Sequence, residues 1–224
     1  MPLYLVPTPI GNLGDITLRA VQVLKDADTI ACEDTRRTLG LLNHLGLAKR
    51  LISYHAHSLD GRTRQILATL ESGAMVALVT DAGTPGLSDP GTELVSAALA
   101  ARIPVISLPG PCAAITALVG SGLPTDRFFF IGFLPRRPAR ARRALQEALT
   151  PGATVVIYES PYRTRETVRL IVETAGAEVP VVIAREMTKI HEEFLRGTAQ
   201  EVLTQLEGRE VKGEVVILVG VKTL

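Results

Sequence analysis

Tryptophan is absent from the chain, phenylalanine and tyrosine supply only 4% of it, and cysteine occurs twice. So little aromatic surface excludes a core built on large rings and leaves it to Val, Ile, Leu and Ala, as in buried strands of parallel type. Cys32 and Cys112 sit in apolar stretches without the paired spacing of a zinc site, so a reducing compartment is expected. A dominant charge sign is also lacking: 24 basic and 23 acidic side chains leave a formal net charge of +1. No global field then draws nucleic acid or an anionic membrane, and any polyanion must be held by a local patch. Met1-Pro2-Leu3-Tyr4 has neither the basic start nor the apolar stretch of a secretory signal, so a cytoplasmic location is expected. Residues 103–125 carry no charge, but Pro104, Pro109, Pro111 and Pro124 interrupt them, so they read as strand, turn and buried helix. Neither a Gly-x-Gly-x-x-Gly fingerprint nor a P-loop occurs, which weakens ordinary NAD and ATP readings.

What is present is a packed composition, 46% hydrophobic and 21% charged over 224 residues. Short β-branched runs at 3–6, 29–32, 75–79, 105–108, 128–131, 154–157, 179–184 and 215–219 read as buried strands. Helical patterns at 18–24, 63–70, 93–101, 143–149, 167–172 and 202–206 suit crossovers on a mainly parallel sheet, and the class is α/β. The alternation is regular up to Leu108 and changes after Pro109-Gly110-Pro111, so two α/β domains are expected, 1–111 and 112–224. Nine basic and ten acidic side chains fall in the first and fifteen and thirteen in the second. Five arginines of the second lie within the eight residues from Arg136 to Arg143.

Glycine and proline concentrate at strand exits, where open α/β sheets bind ligands. Pro7-Thr8-Pro9-Ile10-Gly11-Asn12-Leu13-Gly14-Asp15 forms an open loop whose backbone can approach a ligand, or a plain turn with Thr17 or Asp15 as helix cap. A longer loop runs from Val79 to Gly91. Asp89-Pro90 reads as cap and first-turn proline, whereas Asp81 is placed to accept hydrogen bonds from a ribose or ammonium group, or to close a turn on its own backbone. The small residues of Pro109-Gly110-Pro111-Cys112-Ala113-Ala114 admit a flat ring such as adenine, or simply pack tightly. Glu33-Asp34-Thr35-Arg36-Arg37-Thr38 brings carboxylates and guanidiniums together after a strand, as a base and phosphate clamp or as an ordinary helix start. The stretch from Ala184 to Glu193 crowds both charge signs. His55 and His57 alternate, but without a third ligand at metal spacing no metal site is expected. Ser160-Pro161 reads as a helix cap, and the arginine cluster as a phosphate grip or a solvated helix face.

Taken together, Thr8-Pro9-Ile10-Gly11-Asn12-Leu13, Glu33-Asp34-Thr35-Arg36, Thr80-Asp81-Ala82-Gly83-Thr84-Pro85, Leu108-Pro109-Gly110-Pro111, Gly132-Phe133-Leu134-Pro135, Tyr158-Glu159-Ser160-Pro161 and Lys212-Gly213-Glu214 resemble the ribosomal RNA small subunit methyltransferase I family from end to end. That family is of tetrapyrrole-methylase type, a class III S-adenosylmethionine-dependent methyltransferase. The resemblance implies two α/β domains with the cofactor cleft between them, S-adenosyl-L-methionine as cofactor, and a homodimer. It also implies 2′-O-methylation of a cytidine ribose in small-subunit (16S) ribosomal RNA, free or in the assembled subunit. By the same resemblance Pro9, Ile10, Gly11, Asp81, Ala82, Gly83, Thr84, Ala113, Ala114, Tyr158, Gly213 and Glu214 would line the cofactor pocket. Arg36, Arg37, His55, Arg136, Arg137, Arg140 and Arg163 would face the RNA. The chain departs from the family pattern at Ser58-Leu59, Tyr162 and Cys112, and many members continue past the position of Leu224 into a small helical domain.

A ribose hydroxyl is a weak nucleophile, so in-line methyl transfer calls for near-attack geometry and a base or charge stabiliser, with Asp34 and Lys189 as candidates. Two rival functions remain. A methylase of a tetrapyrrole or other small molecule would transfer label to small-molecule extract and not to RNA. A non-catalytic RNA-binding assembly factor would not bind S-adenosylmethionine.

Overall fold

The computed structural model describes residues 1–55, 59–149 and 152–220, and its contacts divide it into two compact units, Met1–Cys112 and Ala113–Leu224. In the first unit, strands β1 (Leu3–Leu5), β2 (Thr29–Cys32), β3 (Arg50–Ser53), β4 (Val76–Val79) and β5 (Val105–Ser107) form a wholly parallel sheet in the order β3-β2-β4-β1-β5. Helices α1 (Leu18–Asp26), α2 (Thr35–His44), α3 (Leu59–Glu71) and α4 (Thr92–Ala100) connect them. Both faces are covered, which is why β2 and β4 are buried at every position and read as unbroken apolar runs.

Alternate residues serve alternate faces. Leu3, Ala31, Ile52, Val76 and Leu78 pack with Ile66 and Leu70 of α3 and Leu94 and Ala98 of α4. Val6, Ile30, Cys32, Ala77 and Val79 pack with Ala20, Val23 and Leu24 of α1 and Leu42 of α2. The chain therefore leaves β1 over one face and the neighbouring β4 over the other. Their diverging exits mark the topological switch point of the sheet, where a crevice opens.

The second unit contains α5 (Ala113–Ser121), β6 (Phe128–Phe133), α6 (Pro138–Leu149), β7 (Thr154–Glu159), α7 (Thr164–Ala175), β8 (Pro180–Arg185), β9 (Glu193–Thr198), α8 (Ala199–Gln205) and β10 (Val215–Val219). Its sheet runs β6-β7-β10-β8-β9. Only β6 and β7 pair in parallel; β10 is antiparallel to β7 and β8, and β8 to β9. The mainly parallel expectation thus holds for the first unit and is corrected in the second. Parallel neighbours need a crossover of about a dozen residues, and the turn between β8 and β9 is too short for one. Leu145 of α6, Val168 and Ile171 of α7 and Val202 of α8 cover one face of this sheet. Helix α5 packs on β7, β8 and β10.

Each of the eight expected strands is present. The two unexpected ones, β3 and β9, are edge strands whose residues need no continuous apolar run. Residues 103–125 become β5, a loop and the nine-residue α5, and among the described residues no helix is long and apolar enough to cross a membrane. Two capping expectations are corrected. Helix α4 starts after Gly91 and not at Asp89-Pro90: at φ +149°, Gly91 lies where a Cβ would be 3.1 Å from Gly86 N and from Leu78 Cδ2. Ser160 does not cap α7 either; its carbonyl accepts from Arg163 N and Thr164 Oγ1 across an intervening turn, and the helix begins at Thr164. Thr17 does cap α1, accepting the Ala20 N–H at 3.0 Å.

Candidate functional site

Three loops of the first unit, following β1, β4 and β5, are tied together mainly through their backbones. Thr8 and Gly83 exchange two main-chain hydrogen bonds of 2.9 Å, and Thr8 Oγ1 donates to Thr80 O at 3.1 Å. Thr84 Oγ1 donates to Pro111 O at 3.0 Å. Gly83 holds φ +77°, a left-handed conformation that glycine adopts without strain. At Gly110 a Cβ would stand 2.7 Å from Cβ of Pro7, so that approach also requires glycine. The loop that carries Pro9, Ile10 and Gly11 is thereby held beside the one that carries Asp81, Ala82, Gly83 and Thr84.

Beside them lies a titratable cluster. Asp81 does not close a turn on its own backbone: Oδ1 accepts the Asp34 N–H at 3.0 Å and Oδ2 lies 3.4 Å from Arg37 Nε, fastening the start of α2 to the exit of β4. Asp34 caps α2 through the Arg36 N–H at 2.8 Å and binds the Arg36 guanidinium at 3.1 and 2.7 Å. The Arg36 side chain, with its backbone N–H, holds the Asp34 carboxyl down to about 2. A carboxylate held so firmly as an anion is a weak proton acceptor, which counts against Asp34 as the base.

Two other carboxyls are shifted the opposite way. Burial raises Glu33, with the Asp81 charge adding to it, while a hydrogen bond from the Asp81 backbone and the charges of Arg37 and His55 oppose the rise. Asp89 is pushed up to about 6, chiefly by burial and further by Glu33 and Asp81. The sequence gives Asp89 only a capping role. Its place in a long loop beyond β4, opposite the acids that follow the neighbouring β2, is the cue to a second role. His55 is exposed at the exit of β3, and His57 lies outside the described residues. Among the described residues no group of His, Cys, Asp or Glu is arranged to hold a metal ion.

The second unit brings together two further sets. Ala113 and Ala114 open α5, and Tyr158 Oη accepts the Ala114 N–H at 3.1 Å, satisfying one of the donors that a first helical turn leaves unpaired. The Tyr158 ring meets Phe130 and Phe133 edge to face, at 4.8 and 5.7 Å between centroids. Gly213 holds φ +85°, a left-handed conformation that favours glycine, with the Glu186 carboxylate packed against it. Glu186 Oε1 accepts the Glu214 N–H at 2.9 Å and Lys189 Nζ at 2.8 Å, and Nζ also donates to Glu214 Oε2 at 3.1 Å. Burial pulls the Lys189 ammonium down, but the two carboxylates outweigh it and the net shift is upward. Lys189 stays charged and suits charge stabilisation, not proton abstraction. Glu186 and Thr188 adopt φ +51° and +65°, so this turn carries left-handed strain of about 1–3 kcal/mol per residue.

The arginines separate into kinds. Arg136, Arg137 and Arg140 are exposed, and no side-chain partner is found for them among the described residues. Arg163 is instead a strut: it donates to the carbonyls of Leu134 and Pro135 at 3.1 and 3.2 Å and lies 3.6 Å from the fully buried carboxylate of Glu159. Arg36 and Arg37 pair with Asp34 and Asp81 at the rim of the first unit.

Residues 2–203 match the family of tetrapyrrole (corrin/porphyrin) methylases. A ribosomal RNA small subunit methyltransferase I of Halalkalibacterium halodurans is 49% identical over 217 residues, covering 97% of this chain and 75% of that protein. One from Hydrogenobaculum sp. is 47% identical, covering 97% of this chain and 95% of its own. Among solved structures, uroporphyrin-III C-methyltransferase from Thermus thermophilus, complexed with S-adenosyl homocysteine, matches with a TM-score of 0.68 at 20% identity, over 98% of this chain and 97% of that one. A parallel sheet with glycine-rich loops at its switch point, joined in sequence to a mixed sheet, is thus found in a chain that belongs to the ribosomal RNA small subunit methyltransferase I family of the tetrapyrrole methylases.

Proposed function

We propose that this chain transfers the methyl group of S-adenosylmethionine to the 2′-oxygen of a cytidine ribose in small-subunit ribosomal RNA. The observation that carries the proposal is the seat formed at the switch point by the Thr8–Gly83 bridge and the Thr84–Pro111 bond, in a chain that matches an RNA methyltransferase over 97% of its own residues. The seat suits this cofactor. Glycines keep it clear of Cβ atoms, its backbone lies close at hand, and the carboxyls of Glu33, Asp81 and Asp89 favour a cationic sulfonium nucleoside.

Pro9, Ile10 and Gly11 with Asp81, Ala82, Gly83 and Thr84 are assigned to the cofactor in the first unit, and Ala113, Ala114, Tyr158, Gly213 and Glu214 in the second. S-adenosylmethionine supplies an electrophilic methyl group on a positively charged sulfur. The chain's part is chiefly to hold the ribose oxygen in line with that group and to exclude water. Asp89, pushed up to about 6, takes the hydroxyl proton more readily than the ion-paired Asp34. Lys189, held by Glu186 and Glu214, provides a fixed positive charge. Arg36, Arg37, His55, Arg136, Arg137 and Arg140 are assigned to RNA phosphates, and a cytoplasmic homodimer belongs to the same proposal.

The test is mass mapping of small-subunit RNA before and after incubation with the pure protein and cofactor. A single added methyl on a cytidine ribose is expected. Label appearing only in small-molecule extract would transfer the activity to another substrate, and absence of cofactor binding by calorimetry would remove the enzyme reading altogether.

A further inference from the structure

The groove between α6 and α7 belongs to neither of the sets already assigned to the cofactor. It encloses about 230 Å³, and its charged lining consists of Arg136, Arg142, Arg163 and Arg169 with Glu166 and Glu173. Two of these arginines are engaged by carboxylates. Arg142 pairs with Glu173 across the two helices, and Arg163 is held against the buried Glu159. The other two, Arg136 on the turn before α6 and Arg169 on α7, are exposed and make no side-chain hydrogen bond or ion pair among the described residues.

The turn that carries Arg136 is unusually well held. Glu159, with no exposed side-chain surface, accepts from Ser160 N at 2.8 Å and Thr167 Oγ1 at 2.7 Å. Arg163, beside it, donates to the carbonyls of Leu134 and Pro135, the two residues that precede Arg136. A surface arginine in a solvated helix face needs no such framework. Here the backbone beneath Arg136 is fixed from below, while α7 presents Arg169 from the other wall. A guanidinium is a planar fork of donors matched to phosphate oxygens, and fixing its backbone lowers the ordering cost of using it. Glu166 shares the groove, so the excess charge is small and suits a singly charged phosphodiester. Arg137, just before α6, and Arg140, in its first turn, are exposed as well.

We propose that Arg136 and Arg169 form a two-pronged clamp on the phosphodiester backbone of the RNA substrate, a subsite separate from the one that holds the cofactor. The proposal rests on the RNA methyltransferase function and adds Arg169, which the family motifs do not single out. The experiment compares the full-length protein with Arg136→Ala, Arg169→Ala, the double variant and Arg165→Ala. Arg165 is an exposed arginine of α7 outside the groove lining. Binding to fluorescently labelled small-subunit RNA is measured by anisotropy from low to moderate salt, and S-adenosylmethionine binding by calorimetry.

The double variant is expected to bind RNA about tenfold more weakly, with the slope of log Kd against log salt reduced by about 1.5, as for two lost phosphate contacts. Cofactor affinity should stay unchanged, and Arg165→Ala should behave as the parent. Equal weakening by Arg165→Ala, or an unaltered slope in the double variant while the parent still methylates RNA, would overturn the clamp and leave the function standing. A parent protein that binds cofactor but neither binds nor methylates RNA would overturn both.

Discussion

Asp89 shows how the environment of one carboxyl links stability to chemistry. Its value of about 6 in the fold stands against an ordinary value near 4, so the native state keeps a proton that the unfolded chain releases as pH rises through that window. Stability contributed at this position is therefore lost between about pH 4 and pH 6, and the deficit persists above it. Asp89→Asn should leave stability nearly unchanged at pH 4 and raise it at pH 8. After allowance for solvent screening of a half-buried group the gain is about 1–2 kcal/mol, or roughly 2–8 °C in melting temperature. The same variant should methylate RNA more slowly. Melting curves that differ from the parent equally at both pH values would remove the electrostatic explanation. Asp34→Asn keeps a capping side chain and should leave turnover largely intact. Lys189→Gln should lower turnover with little change in cofactor affinity; if affinity falls instead, Lys189 belongs to the pocket. These distinctions were only partly legible in the sequence. It showed that charged residues crowd after 32 and after 184, but their proton affinities depend on partners such as Arg36, Glu186 and Glu214, and those pairings are properties of the fold.

Secondary-structure elements were legible where burial made them uniform. β2, β4 and β10, buried at every position, leave unbroken apolar runs, whereas the edge strands β3 and β9 carry Arg50 and Arg196 and leave none. Helix α2 was legible only as one of two readings of the charged segment at its start. Orientation was harder still, since an apolar run does not record whether its neighbour runs parallel or antiparallel, and the second sheet was misjudged for that reason. The starts of α4 and α7 were misplaced because an Asp-Pro or Ser-Pro pair signals a turn as readily as a cap. The turn from Ser160 to Arg163, ahead of α7, braces the loop that follows β6. Arg163→Ala would strip the buried Glu159 of its cationic neighbour and free the Leu134 and Pro135 carbonyls, at a cost of about 3 kcal/mol. Chemical denaturation should show the loss; an unchanged midpoint would mean that the Ser160 and Thr167 bonds to Glu159 suffice.

At the scale of the whole molecule, the resemblance running from one end of the chain to the other said more than any single loop. It pointed to the family, while the glycines of the loops owe their presence to contacts made far along the chain, such as Gly110 against Pro7. Cofactor binding should register globally. S-adenosylmethionine at about a hundred times its dissociation constant should stabilise the native state by about 2.7 kcal/mol, a rise of roughly 5–10 °C in melting temperature. A thermal scan that ignores saturating cofactor would refute its assignment.

The reciprocal bond between Thr8 and Gly83 uses only amides and carbonyls. The fastening itself does not depend on the side chain at Thr8, whose buried hydroxyl adds a separate bond to Thr80 O, and it demands glycine's freedom opposite. The join between the two loops thus depends on main-chain geometry and not on the identity of any charged side chain.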